Sequence, residues 1–264
     1  MTALRRPLAR VLDPVRFAAE LGWTPDAWQA DVLRSNSQYE VLNVHRQGGK
    51  STTAAVRALH AALTEPGSLV IVISPSQRQS TELYRTIAAY WRSLGRPVGA
   101  EVENVRSLEL VNGSRILSLP GDPDTVRGLA AVRLLVIDEA SRVSDDLMTA
   151  VRPMVAVSGG QVLALSTPWG RRGWWFRAAT GEDRGWRVTT VTAASCPRLS
   201  AEFLDRERAE LGPLAYASEY ECAFVASEGG VFAPADVEAA FVDGISKFDP
   251  QQPLERRHPL EPQP

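Results

Sequence analysis

At 264 residues, 44% hydrophobic and 23% charged, the chain has the length and composition of an ordinary soluble globular protein, enough for one large domain or two small ones. Its formal net charge of −2 provides no global basic field, so any contact with nucleic acid would have to come from a local patch. Two cysteines (Cys196, Cys222) and three scattered histidines form no zinc pattern, no apolar run is long enough for a membrane span, and the basic start Met1 to Arg10 lacks the apolar core of a secretion signal.

A short helix is expected from Asp13-Pro14 to Leu21. Gly22-Trp23-Thr24-Pro25 reads as a turn, and the next helix, Asp26 to Leu33, is expected to be capped by Thr24 with Pro25 in its first position. Trp28 and Gln29 lie on this helix. Gln29 would either read an adenine edge with its amide, as glutamines do in related ATPases, or be a solvated residue beside a core Trp.

The β-branched run Tyr39 to Val44 leads into His45-Arg46-Gln47-Gly48-Gly49-Lys50-Ser51, and an Ala-rich segment without Gly or Pro follows from Thr52 to Leu63. Strand, glycine-bearing loop and helix in that order are the layout of a phosphate-binding loop. Glycines let backbone N–H groups close around phosphate oxygens, and a helix starting at Ser51 would add the positive end of its dipole. Gln47, Gly48, Gly49, Lys50, Ser51 and Thr52 are therefore the candidate nucleotide-binding set, with Lys50 on the β/γ-phosphates and the Ser51 hydroxyl on Mg²⁺. Val44 holds the first glycine position of the usual G-x-x-x-x-G-K-S/T spacing. That departure leaves room for a plain Gly-Gly surface turn before an ordinary helix. Lys50 is nevertheless one of only two lysines in an arginine-rich chain.

Ser68 to Ile73 is an apolar strand of the kind buried on both faces in parallel sheets. Ser76 can cap a long helix, Gln77 to Ser93. Ser107 to Val111 and Ser114 to Leu119, joined by Asn112-Gly113, read as a hairpin, and a loop from Pro120 to Ala131 follows. The strand starting at Arg133 ends in Asp138-Glu139. In open α/β sheets ligands bind at that edge. Asp138 would hold Mg²⁺, directly or through water, and Glu139 would orient and deprotonate an attacking water. The bland alternative is an acidic pair serving a helix from Ser141 onward. On the first reading, adjoining parallel strands set Lys50 beside the two carboxylates.

Gln161 to Leu165 is another strand, ending in the hydroxyl pair Ser166-Thr167, which suits sensing a γ-phosphate. Arg171 and Arg172, among Trp169, Trp174 and Trp175, would either touch a DNA backbone or flank a packing corner. Trp186 to Thr192 is a further strand, and Ser200 to Leu211 and Pro213 to Ala223 are two helices of a small appendage. Asp243 to Pro264 is Pro-, Gln- and Arg-rich and is expected to be disordered.

In this order, from Trp23 to about Val242, the pieces resemble the ATPase domain of the large terminase subunit, the DNA-packaging motor of tailed phages. The resemblance is carried by Trp28-Gln29, His45 to Ser51, Val136-Ile137-Asp138-Glu139, Ser166-Thr167-Pro168-Trp169-Gly170 and Tyr216 to Phe224. It implies an α/β P-loop NTPase of the RecA/ASCE-like kind, with a mostly parallel sheet flanked by helices and a small C-terminal lid subdomain. The division would be an N-terminal segment 1–25, an ATPase core 26–195, a lid 196–242 and a tail 243–264. ATP and Mg²⁺ would be the cofactors. The partners implied are double-stranded DNA, a procapsid with its portal, a small terminase subunit, a separate nuclease, and copies of the chain in a ring, pentameric when assembled. The setting would be the cytoplasm of a bacterial host, without membrane attachment.

The same resemblance puts Arg46 near the γ-phosphate and makes Arg127 the finger entering a neighbouring subunit's site, with Arg133 as the fallback. Thr167 becomes the residue coupling hydrolysis to movement. The family's nuclease domain does not fit in the residues after the lid motif, so it is expected on another polypeptide, lost from a remnant gene, or cut away. Two other readings stand beside this one. One is a superfamily 2 helicase fragment, against which Ser141 and the missing second RecA-like half both count. The other is a nucleotide- or DNA-binding module without turnover of its own.

Overall fold

The computed structural model describes residues 13–225. Eight strands form one sheet: β1 (Tyr39–Val44), β2 (Leu69–Ser74), β3 (Ala100–Glu103), β4 (Ser107–Leu110), β5 (Arg115–Pro120), β6 (Val132–Asp138), β7 (Gln161–Ser166) and β8 (Arg187–Val191). Their spatial order is β3-β4-β5-β2-β6-β7-β1-β8. The run from β5 to β8 is parallel, and β3 and β4 extend it antiparallel at one edge. The helices are α1 (Pro14–Glu20), α2 (Ala27–Leu33), α3 (Lys50–Thr64), α4 (Gln77–Ser93), α5 (Pro123–Val126), α6 (Asp145–Ala156), α7 (Gly173–Ala179) and α8 (Ala201–Glu221). No helix among the described residues is long and apolar enough to cross a membrane.

Because side chains alternate along a strand, the central strands feed two apolar cores. Leu42, Val70, Val72, Leu134, Val136 and Leu165 point to the side covered by α3 and α4. Val41, Ile71, Ile73, Leu135, Ile137 and Ala164 point to the side covered by α6 and α7. This two-sided burial is what made β2 and β6 legible as unbroken apolar runs.

Several local expectations are met closely. Ser76 caps α4 by accepting from Gln79 N, and Asn112-Gly113 turns β4 into β5 with Gly113 at φ +81. The appendage helices form one assigned element, α8, broken at Gly212 (φ 75, ψ 168) before Pro213. Other expectations need correcting. The N-cap of α2 is Asp26, not Thr24, and Pro25 lies outside the helix. Helix α3 starts at Lys50 rather than Ser51, with Gly49 as its N-cap. Strand β3 and helix α7 were not read from the sequence, and the loop after β5 contains the short helix α5. Finally, β1 and β6 are not adjoining, because β7 lies between them. The tail 243–264, residues 226–242 of the expected lid and residues 1–12 of the N-terminal segment lie outside the described residues.

Candidate nucleotide site at the sheet edge

Strand β1 delivers its last residue, Val44, to the loop that precedes α3, and the loop is shaped by sterics. A Cβ on Gly48 would lie 2.5 Å from Val44 Cγ1 and 3.1 Å from both His45 Nε2 and His45 O. The valine in place of the first glycine thus makes Gly48 obligatory. At Gly49, φ is +92 and a Cβ would lie 2.6 Å from Gln29 Nε2, so glycine is needed there for conformation and for space. Gln47 also takes a positive φ of 60. Beneath the loop, His45 is buried and its Nδ1 lies 2.7 Å from Arg46 O. Burial pulls its pKa below the usual histidine value, and the Lys50 and Arg198 charges lower it further against the pull of the Arg46 carbonyl and Asp26.

Lys50 is buried, and its ammonium donates to Val44 O at 3.5 Å. Ser51 is exposed and Thr52 half-buried in the first turn of α3, whose leading N–H groups have no intrahelical partners. The Arg46 side chain is exposed, while its N–H is held by Glu219 O of α8 at 2.8 Å.

Two strands over, β6 ends at the same sheet edge. In register, Asp138 pairs with Leu165, which pairs with Leu42. The Asp138 backbone is thus two strand spacings, roughly 10 Å, from β1. Strand alternation turns Asp138 to the α3 side, the face of Leu134 and Val136, where Lys50 also lies. Burial pushes the Asp138 carboxyl up to about 7. The neighbouring Glu139 charge adds to this, while Lys50 and the Glu139 N–H (3.1 Å to Oδ1) pull it down. Such a carboxylate, short of positive charge when ionised, fits Mg²⁺, which typically takes one or two carboxylates and completes its shell with phosphates and water.

Glu139 adopts a left-handed conformation (φ 51, ψ 42), which turns the chain sharply off the strand into the Ala140–Arg142 turn. The long helix of the alternative reading begins only at Asp145, capped by Ser144. Glu139 Oε2 accepts from Ser166 Oγ at 3.3 Å, and Ser166 Oγ lies 2.7 Å from Ser141 Oγ. The hydroxyl that meets Glu139 is therefore Ser166; Thr167 follows it, half-buried.

The remaining candidates divide. Gln29 is 1% exposed, which corrects the solvated alternative. Its Oε1 accepts from Asp26 N at 2.8 Å, and its Nε2 donates to Gly48 O at 3.5 Å. Arg127 is exposed at the C-terminus of α5 and pairs with Asp124 at 2.8 Å. It borders an open cavity of about 400 Å³ with Asp146 and Thr149. Arg133 lies at the opposite end of β6, where Glu65 and Gln161 hold its guanidinium. Trp174 and Trp175 are buried, as the packing-corner alternative has it. Trp169 is 55% exposed with the Arg142 guanidinium 3.7 Å over its ring, and Arg171 donates to Phe224 O at 2.8 Å. Sequence reasoning missed the roles of Ser141 and Arg198, whose contacts with Ser166 and Gly48 join segments far apart in the chain.

Comparisons with known proteins agree with this architecture. Residues 43–238 match the family model described as terminase large subunit, T4likevirus-type, N-terminal. The large terminase subunit of Thermus virus P23-45 is 28% identical over 181 residues, and that of Thermus phage G20c 27%. Each match spans 61% of this chain but only 37% of the relative. Among solved structures, the large terminase ATPase domain of Thermus phage P74-26 superposes with a TM-score of 0.70 at 22% identity, covering 80% of this chain and 98% of that one. The large terminase of a thermophilic bacteriophage, in complex with ADP, gives 0.65 at 12% identity, covering 76% and 54%.

Proposed function

We propose, from the premise that this chain belongs to the T4likevirus-type family of large terminase subunits as its N-terminal part, that it is the ATP-hydrolysing part of a DNA-packaging motor. The observation that carries this reading is that Lys50 at the start of α3 and the Asp138-Glu139 pair at the end of β6 share one edge and one side of a parallel sheet. A triphosphate laid on the loop would receive the free N–H groups of α3, the Lys50 ammonium and the Arg46 guanidinium, all of which neutralise its charge. Mg²⁺, when bound by Ser51 and Asp138, supplies further neutralisation of the phosphate oxygens. Glu139, braced by Ser166, would take the proton of the attacking water. Gln47, Gly48, Gly49 and Thr52 would line the phosphates, and Gln29 the adenine side. ADP bound to the thermophilic-phage relative supports nucleotide binding at this fold.

The exposed Arg127 would enter the site of the next subunit in a ring, where a guanidinium offsets charge growing on the transferred phosphoryl. Thr167, next to the hydroxyl that braces Glu139, would pass hydrolysis to movement. Residues 26–195 would then be the motor core and 196–242 its lid, acting on double-stranded DNA at a procapsid portal in the host cytoplasm, alongside a small terminase subunit and a nuclease. The test is ATP turnover per subunit across a range of protein concentrations, with and without portal. A steep rise is expected, since the finger is supplied by a neighbour. Turnover that stays undetectable under both conditions, with ADP still bound, would reduce the chain to a binding module.

A further inference from the structure

One backbone oxygen of the phosphate loop collects side chains from distant segments. The Gly48 carbonyl accepts from Gln29 Nε2 at 3.5 Å and from Arg198 Nη2 at 3.3 Å. Arg198 is itself anchored, because its Nη1 meets both Asp26 carboxylate oxygens, at 2.9 and 2.7 Å. The Asp26 N–H then donates to Gln29 Oε1 at 2.8 Å, which closes the circuit. Asp26 starts α2, Gly48 is in the loop, and Arg198 lies in the connection between β8 and α8.

We infer that Arg198 is a positioning residue for phosphate binding, acting through the Gly48–Gly49 peptide. The physical reason is the geometry of that peptide. It is planar and trans, so its C=O and N–H point in opposite directions. Two donors holding the Gly48 oxygen on the side of Gln29 and Arg198 therefore turn the Gly49 N–H away from them, and Gly49 is the N-cap of α3. A cationic donor on the carbonyl also polarises the same peptide and strengthens its N–H as a donor. The fork of a guanidinium is needed because it must reach Asp26 and Gly48 at once, which a single ammonium does poorly.

The inference rests on the nucleotide-binding reading above, and the experiment separates the two. Dissociation constants for ADP and for inorganic tripolyphosphate are measured on wild type, Arg198→Ala and Arg198→Lys, with melting temperatures alongside. Arg198→Ala is expected to weaken both ligands by the same factor, about 3–10-fold for one lost hydrogen bond. Arg198→Lys should fall between, and melting temperatures should stay close to wild type, since the Arg198 side chain is 49% exposed. Equal binding in wild type and variants overturns the role of Arg198. Weakened ADP with unchanged tripolyphosphate also overturns it, because the arginine would then serve the base. A wild-type chain that binds neither ligand overturns the nucleotide reading itself.

Discussion

Near the start of β1, Glu40 is 0% exposed and meets Arg57 at 2.7 Å, with Arg187 Nη1 3.1 Å from its other oxygen, whereas at the end of β6 two carboxylates, Asp138 and Glu139, adjoin each other with Lys50 on the same side. Both regions take charge out of water, which costs several kcal/mol per ion unless it is neutralised. At the first, two arginines of the fold face the one carboxylate, although its Oε1 accepts no hydrogen bond. Arg57 also donates to Val32 O and Ser35 O, so the pair fastens α2 and α3 to β1. Burial holds the Arg57 pKa below its usual value, and the Glu40 charge offsets only part of this. At the second, like charges stand together and the carboxyl of Asp138 is held up at about 7. A closed ion pair holds a structure together; an acidic pair left short of positive charge is ready for a cation.

Three substitutions would break or sharpen that contrast, the largest effect first. Glu139→Ala should cut ATP turnover by about 10²–10⁴-fold, the usual worth of a general base. Steady-state hydrolysis checks this against ADP affinity, which should persist. Unchanged turnover would remove Glu139 from the chemistry. At the other end, Glu40→Ala should cost roughly 3–5 kcal/mol of stability by leaving Arg57 buried and unpaired, read by urea unfolding. Its effect on nucleotide affinity should be small by comparison.

Asp138→Asn should have the opposite sign. The folded pKa of about 7 lies above the ordinary 3.8, so this carboxyl's contribution is favourable below about pH 4 and is lost as pH rises through 7. The ligand-free variant should therefore match wild type near pH 4 and exceed it at pH 8 by roughly 1–3 kcal/mol, discounted for partial exposure. Equal stability of the two proteins at pH 8 would show that Asp138 carries no such strain.

How much of this was legible beforehand depends on the range of the forces involved. The loop at Gly48-Gly49-Lys50, the hairpin at Asn112-Gly113, the Ser76 cap and the helix break at Gly212-Pro213 were all readable, because each is settled by sterics or a hydrogen bond within a few residues. Asp138-Glu139 was readable for a similar reason: an apolar run that stops at two acids must end at a sheet edge. Strand β3 was not, since its alternating Ala100–Glu103 run is only four residues long, is mostly exposed and is held by pairing with β4. The cap of α2 was misplaced because Gln29, from inside the helix, turns back to the Asp26 N–H.

The sequence by itself determined most of the segments that become strands and helices, β3 and α7 apart, since alternation, glycine and proline act locally. Only the tertiary structure decided that β7 separates β1 from β6, that Ser166 rather than Thr167 reaches Glu139, and that Gln29 and Arg198 converge on Gly48 O. Those outcomes depend on how the two apolar faces of the sheet are covered together. That is a property of the packed chain, which no window of neighbouring residues contains.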